Sequence, residues 1–368
     1  MKIGIEAERA NLPNPTGVER YAAELIRHLA ETDRTNEYVL YFRTKPQAWF
    51  HALPPNFRLR LIPFPKFWTQ IRLSWEMLVH PVDVLMILAS ALPFYHPRNS
   101  VVTVHDVAFE MFPEAFTGFM RRYLVFFTRF AVKRARRIVA VSESTKRDLM
   151  RLYGCPKDKI EVIHLGRDEK FSPVPYADAQ AVLDKHGLIY KKYILFVGTL
   201  QPRKNIARLV EAFIKLRKEN RIEEKLVIIG GRGWLWKPIL EKIQAAGLKD
   251  AIQVLGYVED GELPAIYSGA SLLTLPALYE GFGLPPLEAM ACGTPVVVSN
   301  VSSLPEVAGE AGVLVDPLNV NSIAGGLLRV LIDPELKKKM SAEGLKQAER
   351  FSWDRTAKKT LELLESLK

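Results

Sequence analysis

Short, nearly continuous runs of Val, Ile and Leu alternate with longer segments of helical period, and this alternation runs through the chain twice. In the first pass, residues 1–6 read as a strand and 18–32 as a helix with Tyr21, Leu25, Ile26 and Leu29 on one face. Strands are expected at 38–42, 82–87, 100–104, 137–141 and 160–163, and Ser142 caps a helix running to about 152. Strands without apolar–polar alternation are buried on both faces, which is the pattern of a parallel sheet covered by helices. Residues 166–191, with Pro173 and Pro175, break the pattern and read as a linker. It then restarts, with strands at 193–197, 225–230, 252–255, 271–275 and 295–299 and helices at 208–218, 237–246, 263–268 and 286–292. A chain of 368 residues exceeds one ordinary core. The expected fold class is therefore α/β, with two doubly wound domains and a ligand cleft between them. The first domain spans 1–170 and the second 171–352, and an amphipathic last helix, 353–367, has no strand partner.

Composition narrows the function classes. Apolar residues make up 48% and charged residues 25%, so global disorder is excluded. Two cysteines, Cys155 and Cys292, cannot form a disulfide scaffold or a four-cysteine zinc site. The longest apolar stretch, 84–92, is far short of the roughly 20 residues that span a bilayer. Residues 1–6 read as a strand rather than a basic head before an apolar run, so no leader is expected and a cytoplasmic setting is. The net charge is +10, and residues 1–186 hold 27 Lys and Arg against 20 Asp and Glu. Between 115 and 151, ten cations face only Glu143 and Asp148. Such a stretch is either a solvated helix face or a surface for an anionic membrane; no recognition motif accompanies it that would favour nucleic acid.

Four segments at expected strand ends carry candidate chemistry. Glu280-Gly-Phe-Gly-Leu-Pro-Pro-Leu-Glu288 joins a strand to a helix whose first turn is pre-set by Pro285 and Pro286. The backbone N–H groups of Gly281, Phe282, Gly283 and Leu284 are expected to form an anion site there. Glu280 and Glu288 flank it, which makes electrostatic sense where they accept hydrogen bonds from sugar or ribose hydroxyls; Glu288 otherwise reads as a helix first-turn acid. Gly198-Thr199-Leu-Gln-Pro-Arg203-Lys204-Asn205 offers two adjacent cations suited to a diphosphate. Gly17 opens the first helix, and His105 closes a strand of the first half. No Asp-x-Asp, Gly-x-Gly-x-x-Gly or Walker loop is present, so no metal or dinucleotide cofactor is expected.

In this order, these segments resemble the retaining GT-B glycosyltransferases of family four (group 1), over nearly the whole chain. Further carriers are VIIGG at 227–231, LGYV at 255–258, ACGTPVV at 291–297, FSWDR at 351–355, TGVERY at 16–21, TVHD at 103–106 and VAVSE at 139–143. HDVAFEMFPE at 105–114 is similar to mannosyltransferase-like members that assemble polysaccharides. The resemblance implies that Glu280 holds the donor hexose and Glu288 the donor ribose. Arg203 and Lys204 would neutralise the diphosphate, with Gly198 and Thr199 beside it. Gly281 to Leu284 would supply backbone donors, Gly17 would approach the diphosphate, and His105 would sit at the reacting centre. Tyr257 and Val258 would lie near the base. Thr199 stands where many members carry Arg. The closing helix, 353–368, would return to the first domain, which would bind the acceptor. The implied activity is metal-independent, retaining transfer of a hexose, mannose from GDP-mannose, to a glycan or lipid-linked glycan. A UDP-sugar donor, a sugar-nucleotide epimerase of the same fold and a non-catalytic nucleotide-sugar-binding protein are the alternatives.

Overall fold

The computed structural model describes every residue except 13–16, 220, 232, 234, 246, 248 and 249, and every described side chain except those of 239, 240, 242 and 245. The described chain divides into two compact units, one of 1–113, 117–166 and 352–368, the other of 114–116 and 167–351.

In the first unit, β1 (Lys2–Glu6), β2 (Glu37–Phe42), β3 (Phe57–Leu61), β4 (Val84–Ile87), β5 (Ser100–Val104), β6 (Arg137–Ala140) and β7 (Ile160–Val162) form one sheet. Every pairing is parallel, in the order β3-β2-β1-β4-β5-β6-β7. Its helices are α1 (Gly17–Thr32), α2 (Ser74–Val79), α3 (Ala108–Met111), α4 (Gly118–Arg134) and α5 (Glu143–Tyr153). Ser142 caps α5 by accepting the Thr145 N–H, as the pattern predicts. The apolar face of α1 is buried at Tyr21, Leu25, Ile26 and Leu29. β3 was not expected: its alternating FRLRL lies at the sheet edge, where Arg58 and Arg60 face outward instead of breaking a core strand.

The second unit repeats the plan. It contains α6 (Tyr176–Lys185), β8 (Tyr193–Val197), α7 (Ile206–Lys218), β9 (Lys225–Ile229), α8 (Trp236–Ala245), β10 (Ile252–Gly256), α9 (Leu263–Gly269) and β11 (Leu272–Leu275). There follow α10 (Leu284–Ala291), β12 (Val296–Ser299), α11 (Leu304–Ala308), β13 (Gly312–Val315), α12 (Val320–Ile332) and α13 (Pro334–Ala348). The sheet is parallel, in the order β10-β9-β8-β11-β12-β13. The segment expected to be a linker, 166–191, thus contains α6, whose Ala179 and Leu183 are buried.

The last helix, α14 (Trp353–Glu365), belongs to the first unit. Ser352 caps it, Thr356 Oγ1 donates to the His164 carbonyl at 2.8 Å, and Asn99 Nδ2 donates to the Leu367 carbonyl at 2.6 Å. A Cβ on Gly166 would lie 2.2 Å from the Trp353 nitrogen, so the chain crosses there only as glycine. In each sheet the order reverses once, between β1 and β4 and between β8 and β11. Ligands of open α/β sheets bind outside the carboxyl ends of strands at such reversals.

Candidate functional site

The second unit's reversal lies between β8 and β11, and both loops that follow these strands are held by specific contacts. Gly198 takes φ +154° and Gly230 φ +148°, and a Cβ on Gly230 would lie 2.1 Å from the Gly198 carbonyl oxygen. The loops after β8 and β9 therefore pack backbone on backbone, with Leu200 N–H donating to the Gly231 carbonyl at 3.0 Å. Pro202–Lys204 form a 3-10 turn ended by Asn205 in the left-handed region at φ +61°. Asn tolerates that conformation, and its side-chain amide has two N–H donors. Asn205 Nδ2 donates to the carbonyls of Pro276 at 2.9 Å and Pro317 at 2.6 Å, while Leu278 N–H donates to the Arg203 carbonyl at 2.8 Å. These bonds stitch the β8 loop to the β11 loop. Asn205 was quoted in the sequence pattern but given no role there; its signal is an Asn directly before a helix.

The stitching brings Arg203, Lys204 and Glu280 together. Lys204 Nζ donates to Glu280 Oε1, and Arg203 Nη1 lies 3.4 Å from Glu280 Oε2 and donates to the Tyr279 carbonyl at 3.1 Å. Lys204 is 7% and Glu280 8% exposed. Burial pushes the Glu280 carboxyl up, but the charges and hydrogen bonds of Lys204 and Arg203 outweigh it and hold the group below the ordinary glutamate range. Glu280 is therefore a carboxylate at neutral pH. It accepts hydrogen bonds and does not act as an acid.

A second clamp, absent from the sequence reading, comes from Ser302 and Ser303. Glu280 N–H donates to Ser302 Oγ at 2.8 Å, and Ser303 Oγ donates to the Phe282 carbonyl at 2.6 Å. Gly283 takes φ +119° just before α10, where a Cβ would lie 2.8 Å from Leu304 Cδ2. Gly281, Phe282 and Gly283 are buried and Leu284 is half-buried. α10 starts at Leu284, two residues earlier than read, so Glu288 lies beyond its first turn and is not a helix-start acid. It is 5% exposed and accepts from the Tyr267 hydroxyl at 2.8 Å.

The remaining expected residues fall elsewhere. Gly198 directly follows β8 beside Lys204, and Thr199 is exposed after it. Tyr257 and Val258 follow β10, the edge strand; Tyr257 is 73% exposed and Val258 is buried. Gly17 and His105 belong to the first unit. Gly17 begins α1 with open space where a Cβ would stand; residues 14–16 of its segment lie outside the described residues. His105 directly follows β5 and lies edge-on to Tyr21 at 4.8 Å between ring centres. Its Nε2–H donates to the Leu88 carbonyl at 2.9 Å, since a carbonyl only accepts. Burial lowers its affinity for a second proton, so the ring is neutral and Nδ1 is its acceptor nitrogen.

Part of the basic stretch 121–151 is engaged in pairs within the unit. Arg121 pairs with Glu110 at 3.4 Å and Arg151 with Asp148 at 2.9 Å, and Lys146 donates to the Ile160 carbonyl at 3.1 Å. Glu110, outside that sequence window, is thus a third opposing acid.

Two family profiles match the chain: "Glycosyltransferase Family 4" over residues 15–171 and "Glycosyl transferases group 1" over 183–347. O-antigen chain mannosyltransferase B of Escherichia coli is 33% identical over 380 residues, covering 98% of both chains. Sucrose-phosphate synthase of Thermosynechococcus elongatus superposes with a TM-score of 0.80 at 21% identity, covering 100% of this chain and 98% of that one. Anabaena HepE in complex with UDP-glucose superposes with a TM-score of 0.77 at 18% identity, with 100% of both chains covered. Two parallel sheets, each with one reversal, and a last helix that belongs to the first unit make this the GT-B architecture. With its profile matches and its full-length likeness to a mannosyltransferase, the chain belongs to the group 1 glycosyltransferases of family 4.

Proposed function

We propose that this glycosyltransferase moves mannose from GDP-mannose to a glycan or lipid-linked glycan, with retention at the anomeric carbon and without a required metal ion. The observation that carries this reading is the Arg203–Lys204–Glu280 cluster at the β8/β11 reversal. Two cations held by one carboxylate leave one net positive charge, placed for a departing diphosphate. Glu280 holds these cations and accepts hydroxyls of the donor hexose; Glu288 accepts those of the ribose. Gly198, Thr199 and the backbone of Gly281 to Leu284 approach phosphate and sugar, and Tyr257 and Val258 approach the base. In the first unit, which binds the acceptor, Gly17 nears the diphosphate and the neutral His105 faces the reacting sugar. The departing phosphate oxygen takes the proton of the attacking hydroxyl, so no protein nucleophile is needed.

The name of the Escherichia coli relative supports mannose. The UDP-glucose complex of Anabaena HepE keeps a UDP-sugar donor as the second reading. Thermal shift against GDP-mannose, UDP-glucose, GDP and UDP, with and without EDTA, separates the two: a ligand bound only by the folded state raises the melting temperature. A shift with GDP compounds that survives EDTA supports the proposal; a shift with UDP compounds alone refutes its donor. NMR of the product anomer tests retention.

We also propose peripheral contact with anionic lipid, in a cytoplasmic setting. On α4, Arg122, Arg129 and Lys133 are exposed together with Phe119 and Phe126. Basic side chains gain about 1 kcal/mol each near an anionic leaflet. Among the described residues, no helix is long and apolar enough to cross a membrane. Flotation with acidic liposomes at low and high salt tests the contact, and absence of low-salt binding refutes it.

A further inference from the structure

The first unit has its own sheet reversal, between β1 and β4, and a cavity of about 350 Å³ opens beside it. Its floor is Glu6, the last residue of β1, which is 6% exposed. Arg9 and Arg43 line it after β1 and β2, Gln70 and Phe67 come from the chain after β3, and Tyr123 comes from α4. The backbone around it is unusual. Phe67 is a non-glycine residue at φ +53°, and residues 69–73 form a π-helical turn leading into α2. Such strain and such turns gather at binding sites, because folding stability alone does not favour them. Here they leave the Phe67 side chain 52% exposed beside the cavity.

The lining points to one ligand chemistry. Glu8 in the lining and Glu19, 3.6 Å from Arg9, offset Arg9 and Arg43 whatever the charge on Glu6, so the cavity does not select an anion as a cluster of unopposed cations would. It is too polar for a lipid chain. The polar groups are anchored: Glu8 accepts the backbone N–H groups of Arg43 at 2.8 Å and Thr44 at 3.1 Å, and Gln70 Nε2 donates to the Tyr123 hydroxyl at 3.0 Å. Having accepted that bond, the Tyr123 hydroxyl keeps its proton for donation. Fixed donors and acceptors below an exposed aromatic ring match a ring whose edges carry hydroxyls and whose faces carry C–H groups.

We propose that this cavity is a subsite for an uncharged hexose unit of the acceptor glycan, with Phe67 against the sugar face and Glu6, Gln70 and Tyr123 on its hydroxyls. The proposal rests on the reading of the first unit as the acceptor-binding unit. Burial raises the Glu6 carboxyl to about 7, with Arg9 opposing, so near neutral pH the group serves as donor or acceptor to a hydroxyl.

The test is saturation-transfer NMR on the full chain with methyl α-mannoside and an α-linked mannotriose, and maltotriose as a comparison. Phe67→Ala and Gln70→Ala are compared with wild type, and the GDP and UDP thermal shifts are recorded in parallel. The expected result is a mannoside signal in wild type, a loss of binding of tenfold or more in both variants and nucleotide shifts unchanged in all three. Circular dichroism confirms that the variants fold. No mannoside signal in wild type, or a signal retained in both variants, overturns the subsite. Absent nucleotide shifts in wild type would count against the donor reading instead, and the sugar signal reads independently of them.

Discussion

Replacing Lys204 with Met strips Glu280 of its nearer cation and tests whether the cluster is a folded-state ion pair. Both side chains are about nine-tenths buried, so the stranded carboxylate finds little water. Breaking a buried pair from one side costs about 3–5 kcal/mol. Arg203 stays at 3.4 Å from the other carboxylate oxygen, which places the expected cost at the low end, about 3 kcal/mol. For a unit of this size, each kcal/mol moves the melting temperature by about 2–4 °C, giving a fall of about 6–12 °C. Lys204→Met/Glu280→Gln removes the stranded charge as well, so it recovers at least half of the loss. The sum of the single changes then exceeds the double by well over about 0.5 kcal/mol, the usual limit of additivity. Differential scanning calorimetry and guanidinium unfolding of all four proteins read this out. A Lys204→Met protein melting within about 2 °C of wild type, or simple additivity in the cycle, would refute the reasoning. Transfer should be lost in all three variants, because each removes a group proposed to face the donor.

Gly230→Ala places a Cβ 2.1 Å from a backbone oxygen at a positive φ and should cost about 3 kcal/mol or more, a fall in melting temperature of at least about 6 °C, whereas Gly231→Ala, with open space at its Cβ, should stay within about 0.5 kcal/mol of wild type. Two of the buried glutamates, Glu6 and Glu280, make opposite contributions to pH stability. Glu6, raised from 4.5 to about 7, contributes stability that is full below the unfolded value and is lost as pH rises to about 7. The loss is about 3 kcal/mol, and Glu6→Gln should remove that slope from melts taken between pH 4.5 and 7.5. Glu280, lowered, contributes stability present above its unfolded value and lost in acid, so Glu280→Gln should flatten the acid limb; an unchanged limb would contradict the pairing. His105→Ala should remove transfer while leaving GDP and UDP thermal shifts in place, and a wild-type turnover rate would refute its proposed place at the reacting sugar.

Much of the fold was legible because parallel strands buried on both faces write themselves as unbroken apolar runs. β5 and β12 are buried along their whole length and were found to within a residue. β3 was hidden by arginines that an edge strand tolerates. Residues 300–352 received no assignment, and α12 shows why: Gly325 and Gly326 look like a helix break, yet a Cβ on Gly326 would lie 2.4 Å from Val315 Cγ1. That glycine lets a helix lie close on its sheet, a need the local sequence does not display.

By itself, the sequence determined most of the core strands, where glycine and proline must open or cap them, and that Arg203, Lys204 and Glu280 stand in loops that follow strands. Only the tertiary structure decided that Lys204 and Glu280, 76 residues apart, are ion partners, that Asn205 and Ser303 hold their loops, and that Glu6 floors a cavity. Strand and helix preferences act between neighbours in the chain, so a linear pattern carries them. Charge pairing and desolvation act through space, and the partners meet only after the sheet order is set.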